Sequence, residues 1–279
     1  MTQRKPTAKA TRFVRKTNKA RRFLLSIFTA AVVGLQATSC SFTPGVGPAA
    51  ARTPSSTATS FATCPQHFAG GRPPITPKAP KLRELCFDGF AVLHSGNTKT
   101  PIYVAQRLNR QMLQDGQGIK RTDRFYADAR LPAAERAELE DYKGSGWSRG
   151  HMAPAGDMGT PEAKAQSFSL ANMVPQDAKQ NGGPWSKIEE DTRKYVMRAR
   201  GDVYVITGPV FEPGAQTIGA GRVVVPSHVF KLIYDPSTGK SWAHWQENSP
   251  LATVGRPISY EEVVSRTKIE LLPGFALRD

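Results

Sequence analysis

The sequence predicts an α+β fold with a central, largely antiparallel sheet flanked by helices, and three observations carry that expectation. Six short runs rich in β-branched and aromatic residues, at 87–93, 102–106, 203–206, 223–225, 229–234 and 241–245, are bounded by Gly, Pro, Asn or Asp, the pattern of strands set between turns. Three runs, at 132–141, 184–200 and 259–267, have helical patterning, and in the last Ser259 stands three residues before Glu262, a capping-box spacing. From Cys64 to Asp279 the chain is long enough for a single domain with a sizeable core, and it shows no internal repeat.

In chain order, the front lies outside that domain. Residues 1–22 hold nine Lys or Arg and no acid, and a largely apolar run of thirteen (FLLSIFTAAVVGL, 23–35) follows. Spanning a bilayer takes ~20 apolar residues. A basic start, a short apolar run and small residues after it instead predict a secretory signal over residues 1–40, with export to the periplasm, envelope or medium. An uncleaved membrane anchor is the alternative. Ala37-Thr38-Ser39-Cys40 ends the run in the manner of a lipoprotein signal, so Cys40 is a candidate lipidation site and a possible membrane attachment. Residues 41–63 are rich in Ser, Thr, Ala, Pro and Gly with Arg52 as the one charge, the composition of a flexible tether.

Of three cysteines, loss or lipidation of Cys40 leaves Cys64 and Cys86 as a pair, which predicts a disulfide in an oxidising compartment; two buried thiols are the alternative. The prolines of residues 70–80 (GGRPPITPKAP) predict an extended segment against the domain surface. The whole chain carries +15, but without the nine cations of the signal it has 29 bases against 23 acids, a net of +6. That balance favours a polyanionic partner through phosphate contacts and counterion release, and is equally compatible with a solvated surface.

Side chains suited to chemistry gather in three blocks: SRGHMAPAGDM (148–158), NMVPQ (172–176) and NGGPWSKIE (181–189). A neutral His151 can take a proton from an attacking water. Arg149 offers a planar, permanently charged donor fork for phosphate oxygens. Asn181 and Glu189 are hard oxygen donors that suit a magnesium-like cation, and no CxxC pair or Cys/His cluster suggests zinc. On a regular helix Asn181, Trp185 and Glu189 share one face, with Pro184 tolerated in the first turn. Taken singly, Asn181 reads as a helix N-cap, Trp185 as core packing, and Asp157 and Glu190 as solvated surface.

This ordered set resembles the DNA/RNA non-specific endonuclease family, whose members share the ββα-metal (His-Me finger) fold. The resemblance also takes in residues 121–128 (RTDRFYAD), 203–211 (VYVITGPVF), 225–233 (VPSHVFKLI) and 269–274 (IELLPG), so it covers most of the chain from Cys64 onward. It implies His151 as general base, Asn181 as direct metal ligand, and Glu189 as the carboxylate near the metal's water shell. Arg149 and an upstream arginine, Arg121 with Arg124 as runner-up, are implied on the phosphate, and Asn172 as a residue supporting the site. The implied activity is hydrolysis of DNA and RNA phosphodiesters with little sequence preference, with Mg2+ as cofactor, Mn2+ as substitute, and no protein partner. The family's motif reads Asp-Arg-Gly-His; Ser148 stands in the first position here, and the missing carboxylate bears on rate or metal affinity. Two other readings stay open. A non-catalytic nucleic-acid-binding protein of the envelope would not need His151, Asn181 and Glu189 together, and a phosphomonoesterase needs several carboxylates for two metals.

Overall fold

Apolar side chains on both sides of the strands demand cover on two faces, and the fold supplies it. The computed structural model describes residues 60–275. The predicted signal over 1–40, the candidate lipidation site Cys40 and most of the predicted tether lie outside the described residues. The strands are β1 (Leu82–Cys86), β2 (Ala91–Ser95), β3 (Thr100–Leu108), β4 (Ser148–His151), β5 (Met173–Gln176), β6 (Val203–Val210), β7 (Thr217–Ile218), β8 (Val223–Val224), β9 (His228–Asp235) and β10 (Lys240–Glu247). Six of them form one antiparallel sheet in the order β1-β2-β3-β6-β9-β10, while β4 pairs with β5 and β7 with β8. The helices are α1 (Arg110–Asp115), α2 (Leu139–Tyr142), α3 (Pro161–Gln166), α4 (Ala178–Gln180), α5 (Ser186–Val196) and α6 (Tyr260–Thr267).

Neighbouring residues of the central strands feed opposite faces. On one, Tyr103, Phe230 and Leu232 pack with Phe61, Phe68, Val263 and Leu271. On the other, Val92, Val104 and Val229 pack with Met152, Val174, Trp185 and Ile188. Each such large apolar side chain contributes roughly 1.5–3 kcal/mol by leaving water. The second face therefore presses β4, β5 and α5 onto the sheet and fixes their position.

Sequence expectations hold unevenly. Ser259 caps α6 as expected, its Oγ accepting from the Glu262 N–H at 3.2 Å. The run at 87–93 opens with a reversal, Phe87 N–H donating to the Phe90 carbonyl at 2.9 Å, so the strand starts only at Ala91. The helix expected over 132–141 is broken into a single turn at Ala133–Glu135 and the short α2. Extended Arg136 separates them, its guanidinium held by the Glu138 carboxylate at 2.7 Å, and a reciprocal Glu138–Asp141 capping box then starts a new turn. The proline-rich 70–80 segment opens with a turn at Gly70 and Gly71, both at positive φ, and further on Ile75 bridges Glu270 with two backbone hydrogen bonds of 3.0 Å.

Cys64 and Cys86 are joined in a disulfide, with Cα atoms 5.9 Å apart. The described end of the stretch read as tether is packed: Phe61 is buried against Phe68 at 4.8 Å, and its N–H donates to Glu84 at 2.7 Å. With the cysteines 22 positions apart in sequence, the closed loop stabilises by about 3 kcal/mol on the chain-entropy account. Replacing both cysteines by alanine is expected to lower the unfolding free energy by that amount in a denaturant titration. An unchanged midpoint and slope would show that the bond adds nothing.

Candidate active site

The site grows from a short ladder. β4 and β5 pair Ser148 with Gln176, Arg149 with Pro175, Gly150 with Val174 and His151 with Met173. Gly150 is needed there because a Cβ would run into the Gln176 side chain. Immediately after β5, Asp177 caps a helix by accepting from the N–H groups of Lys179 and Gln180 at 2.9 and 3.0 Å. Helix therefore begins at α4, and Asn181 is not the helix start that its residue type suggested. Between α4 and α5 lies a wide π turn, Asn181–Trp185, which accommodates Pro184 without the hydrogen bond its ring cannot make. That extra width also shifts the helical phase. Trp185 is fully buried in the core, as expected, but it does not share a face with Asn181 and Glu189, which turn to a cleft instead.

The cleft has a volume of about 280 Å³ and is lined by Arg121, His151, Asn181, Ser186, Glu189 and Arg193 among others. Four of the residues singled out by sequence thus meet in one place. Arg149 lines an adjoining cavity that shares Arg121 with the cleft. Arg124, the runner-up to Arg121, lines neither of these two cavities.

His151 ends β4 with its ring edge-on to Phe168 at 5.1 Å and tilted to Phe125 at 5.7 Å. Its Nε2 is sealed with no hydrogen-bond partner among the described residues. Burial first, and the Arg121 charge second, push its pKa down to about 3, so the imidazole is neutral at physiological pH. Asn172 sits behind it, wholly buried. Its Oδ1 accepts from the Ala153 N–H at 2.8 Å, and its Nδ2 donates to the carbonyls of Ala153 and Ser167 at 2.9 Å each. One amide therefore pins the turn that follows His151. Asn172→Ala leaves these buried groups unpaired, at roughly 1–3 kcal/mol per group, and is expected to lower the thermal midpoint and loosen His151 together. A variant as stable as the parent would remove Asn172 from this supporting role.

Glu189 is half-buried and has neither a hydrogen bond nor an ion pair among the described residues. Burial raises its pKa to about 7 against the opposing charge of Lys231. The Asn181 side-chain amide is likewise without a hydrogen bond. A desolvated carboxylate and a free amide oxygen facing one cleft suit a hard, well-hydrated cation. Among the described residues no group of three or more His, Cys, Asp or Glu is placed to hold a metal ion.

Three charged residues were missed or misread. Asp157, expected at the surface, is buried; its carboxylate accepts from Arg193 at 3.1 Å and from Gln106 at 3.4 Å, which anchors Arg193 at the cleft wall. Arg193 follows Glu189 by one helical turn, a spacing visible in the sequence. Lys231 is fully buried, donates to the Thr207 hydroxyl at 2.7 Å and lies 5.4 Å from the centre of the Trp185 ring. A lone lysine inside the apolar run VPSHVFKLI was its signal. Glu190 is exposed and paired with Lys194 at 2.6 Å, as expected of a solvated face.

Residues 75–276 match the family described as DNA/RNA non-specific endonuclease. The chain is 36% identical to human mitochondrial nuclease EXOG over 159 residues, 53% of this chain and 43% of that protein. It is 34% identical to the Xenopus laevis EXOG over 197 residues, 65% and 52% of the two. With nuclease C1 of Cunninghamella echinulata var. echinulata it shares 33% over 169 residues, 56% and 67% of the two. The chain spans about half the length of the EXOG relatives it matches. The solved structure of EndoG in its complex with EndoGI is similar in fold, with a TM-score of 0.62 at 23% identity, covering 67% of this chain and 84% of that one. The ladder β4–β5 followed by the Asn181–Glu189 helix is the ββα unit of that fold, and on the match over most of its length the chain belongs to the DNA/RNA non-specific endonuclease family.

Proposed function

We propose that the protein is a divalent-metal-dependent endonuclease that hydrolyses phosphodiester bonds of DNA and RNA with little sequence preference. The observation that carries this reading is the convergence of His151, Asn181, Glu189 and Arg121 on one cleft. With Nε2 sealed, Nδ1 is the ring nitrogen left to the cleft, and as a neutral base it accepts the proton of a water attacking phosphorus. Asn172 and the two phenylalanines keep that ring in place. Arg121 and Arg149 hold non-bridging phosphate oxygens, where donors fixed in advance favour the more highly charged transition state. Asn181 and Glu189 are the residues that would hold magnesium, with manganese as substitute. Bound there, the cation supplies Lewis acidity to offset charge growing on the phosphate. These contacts address the backbone and no base edge, which is why both nucleic acids are expected substrates.

Purified protein incubated with plasmid DNA and with RNA is expected to degrade both in magnesium or manganese and neither in chelator. Retardation of intact plasmid in magnesium would instead establish a binding protein without catalysis.

Export is part of the same proposal. It is supported by the Cys64–Cys86 disulfide, since such bonds persist in oxidising compartments. Labelling with a fatty acid, compared between the full chain and Cys40→Ala, tests the attachment: no label on the parent sinks it.

A further inference from the structure

Beside the cleft lies a larger cavity of about 680 Å³, whose walls include Arg121, Phe125, Tyr142, Trp147, Ser148 and Arg149. Two of its acids are already matched: Asp123 pairs with Arg121 at 2.9 Å and Glu140 with Lys143 at 3.3 Å. Arg149 is not. Its guanidinium makes no ion pair or hydrogen bond among the described residues, and it lies 4.2 Å from the centre of the Phe125 ring. One face of that flat cation is covered by an aromatic, so the other is a stacking platform of the kind that receives a base. Tyr142 contributes its ring to the wall and is 5% exposed, with its hydroxyl buried.

We propose that this cavity seats the nucleotide next to the scissile phosphate, its base stacked against Arg149 and Trp147. The volume falls in the range of ligand pockets and exceeds what a bare phosphate requires. An anion alone would have no use for three aromatic walls. Arg121, common to both cavities, ties the seat to the reacting phosphate one step along the strand. Contact through a π-face tolerates any base, in keeping with cleavage of little sequence preference, and it makes the presence of a base matter where its identity does not. The inference rests on the endonuclease reading for its substrate, though not for its binding chemistry.

Calorimetry in chelator, where no hydrolysis interferes, tests the seat with two probes: deoxyadenosine 3′,5′-bisphosphate and the same bisphosphate of deoxyribose lacking the base. The parent is expected to bind the nucleotide about tenfold more tightly. Trp147→Ala removes most of that preference. Trp147→Phe keeps an aromatic wall and retains much of it, with a thermal melt confirming that both variants fold. Equal affinity of the parent for the two probes, or a folded Trp147→Ala variant with parental preference, overturns the proposal. Base-dependent binding by a protein that cleaves no nucleic acid sinks the catalytic reading and leaves the seat. Cleavage together with base-independent binding does the reverse.

Discussion

Replacing His151 by alanine is expected to slow cleavage of plasmid DNA in magnesium by roughly 10²–10⁴-fold, the usual contribution of a positioned general base. Placement suits His151 to that role as much as residue type does. The imidazole ends a strand, is wedged between Phe125 and Phe168, and keeps Nδ1 toward the cleft because Nε2 is sealed. Near-parental activity in the variant would falsify the assignment. A second readout needs no turnover. Burial lowers the His151 pKa from 6.5 to about 3, so below pH 6.5 the unfolded chain takes up a proton that the native site refuses. The parent therefore loses stability from this residue as pH falls from 6.5 towards 3, and His151→Ala removes that part of the slope. Denaturant midpoints at pH 7 and pH 5 measure it: the drop between them is smaller in the variant.

Glu189→Gln carries the second large effect. Loss of the carboxylate is expected to weaken magnesium binding or activity by about 10–100-fold, the scale typical of groups that orient a metal's surroundings. The pH dependence follows from the metal-free pKa of about 7, raised chiefly by burial. A cation and a proton compete for this group, so magnesium affinity in the parent rises about tenfold per unit as pH approaches 7 and levels off above it. The stability effect runs the other way. Because the native group holds its proton more tightly than the unfolded one, the metal-free protein loses stability as pH rises from 4.5 to about 7, and the cost is fully present above that. Glu189→Gln lacks this decline, so metal-free Glu189→Gln at pH 8 is expected to gain on the parent while losing function. Titration calorimetry with magnesium across pH 5.5–8.5 decides the matter, and a pH-independent affinity in the parent would remove Glu189 from the cation's surroundings.

His151, Asn181 and Glu189 were legible because their residue types announce the chemistry and their blocks come in order. Arg121 was legible only with the whole 121–128 block. The fold's long apolar strands were visible for the same reason, since β3, β6 and β9 bury both faces and read as apolar runs. β1 was missed because LRELC carries two charges along a half-buried edge. β4 and β5 were missed too, being four residues each and stabilised by pressing on the sheet, with little local preference. Trp185 leaves the face of Asn181 and Glu189 because the π turn departs from 3.6 residues per turn, and no local pattern in the sequence marks it. Asp157 and Lys231 show the wider limit. Their charges read as surface, and only the meeting of α5 with β9 and the turn after β4 reveals that both are enclosed.

The uncancelled charge of Arg149 has a consequence for where such a protein can work. A guanidinium with no anionic partner among the described residues waits for an external anion, and dissolved salt competes for that role. Each phosphate contact adds about one to the slope of affinity against the logarithm of salt. The site is thus an ion exchanger in miniature, and its working range is set by the medium. Steady-state rates at limiting DNA are expected to fall steeply between 50 and 200 mM sodium chloride, and Arg149→Ala to flatten that fall by about one unit of slope. A dilute surrounding would open the site to any passing strand, and a saline one would close it with no change in the protein at all.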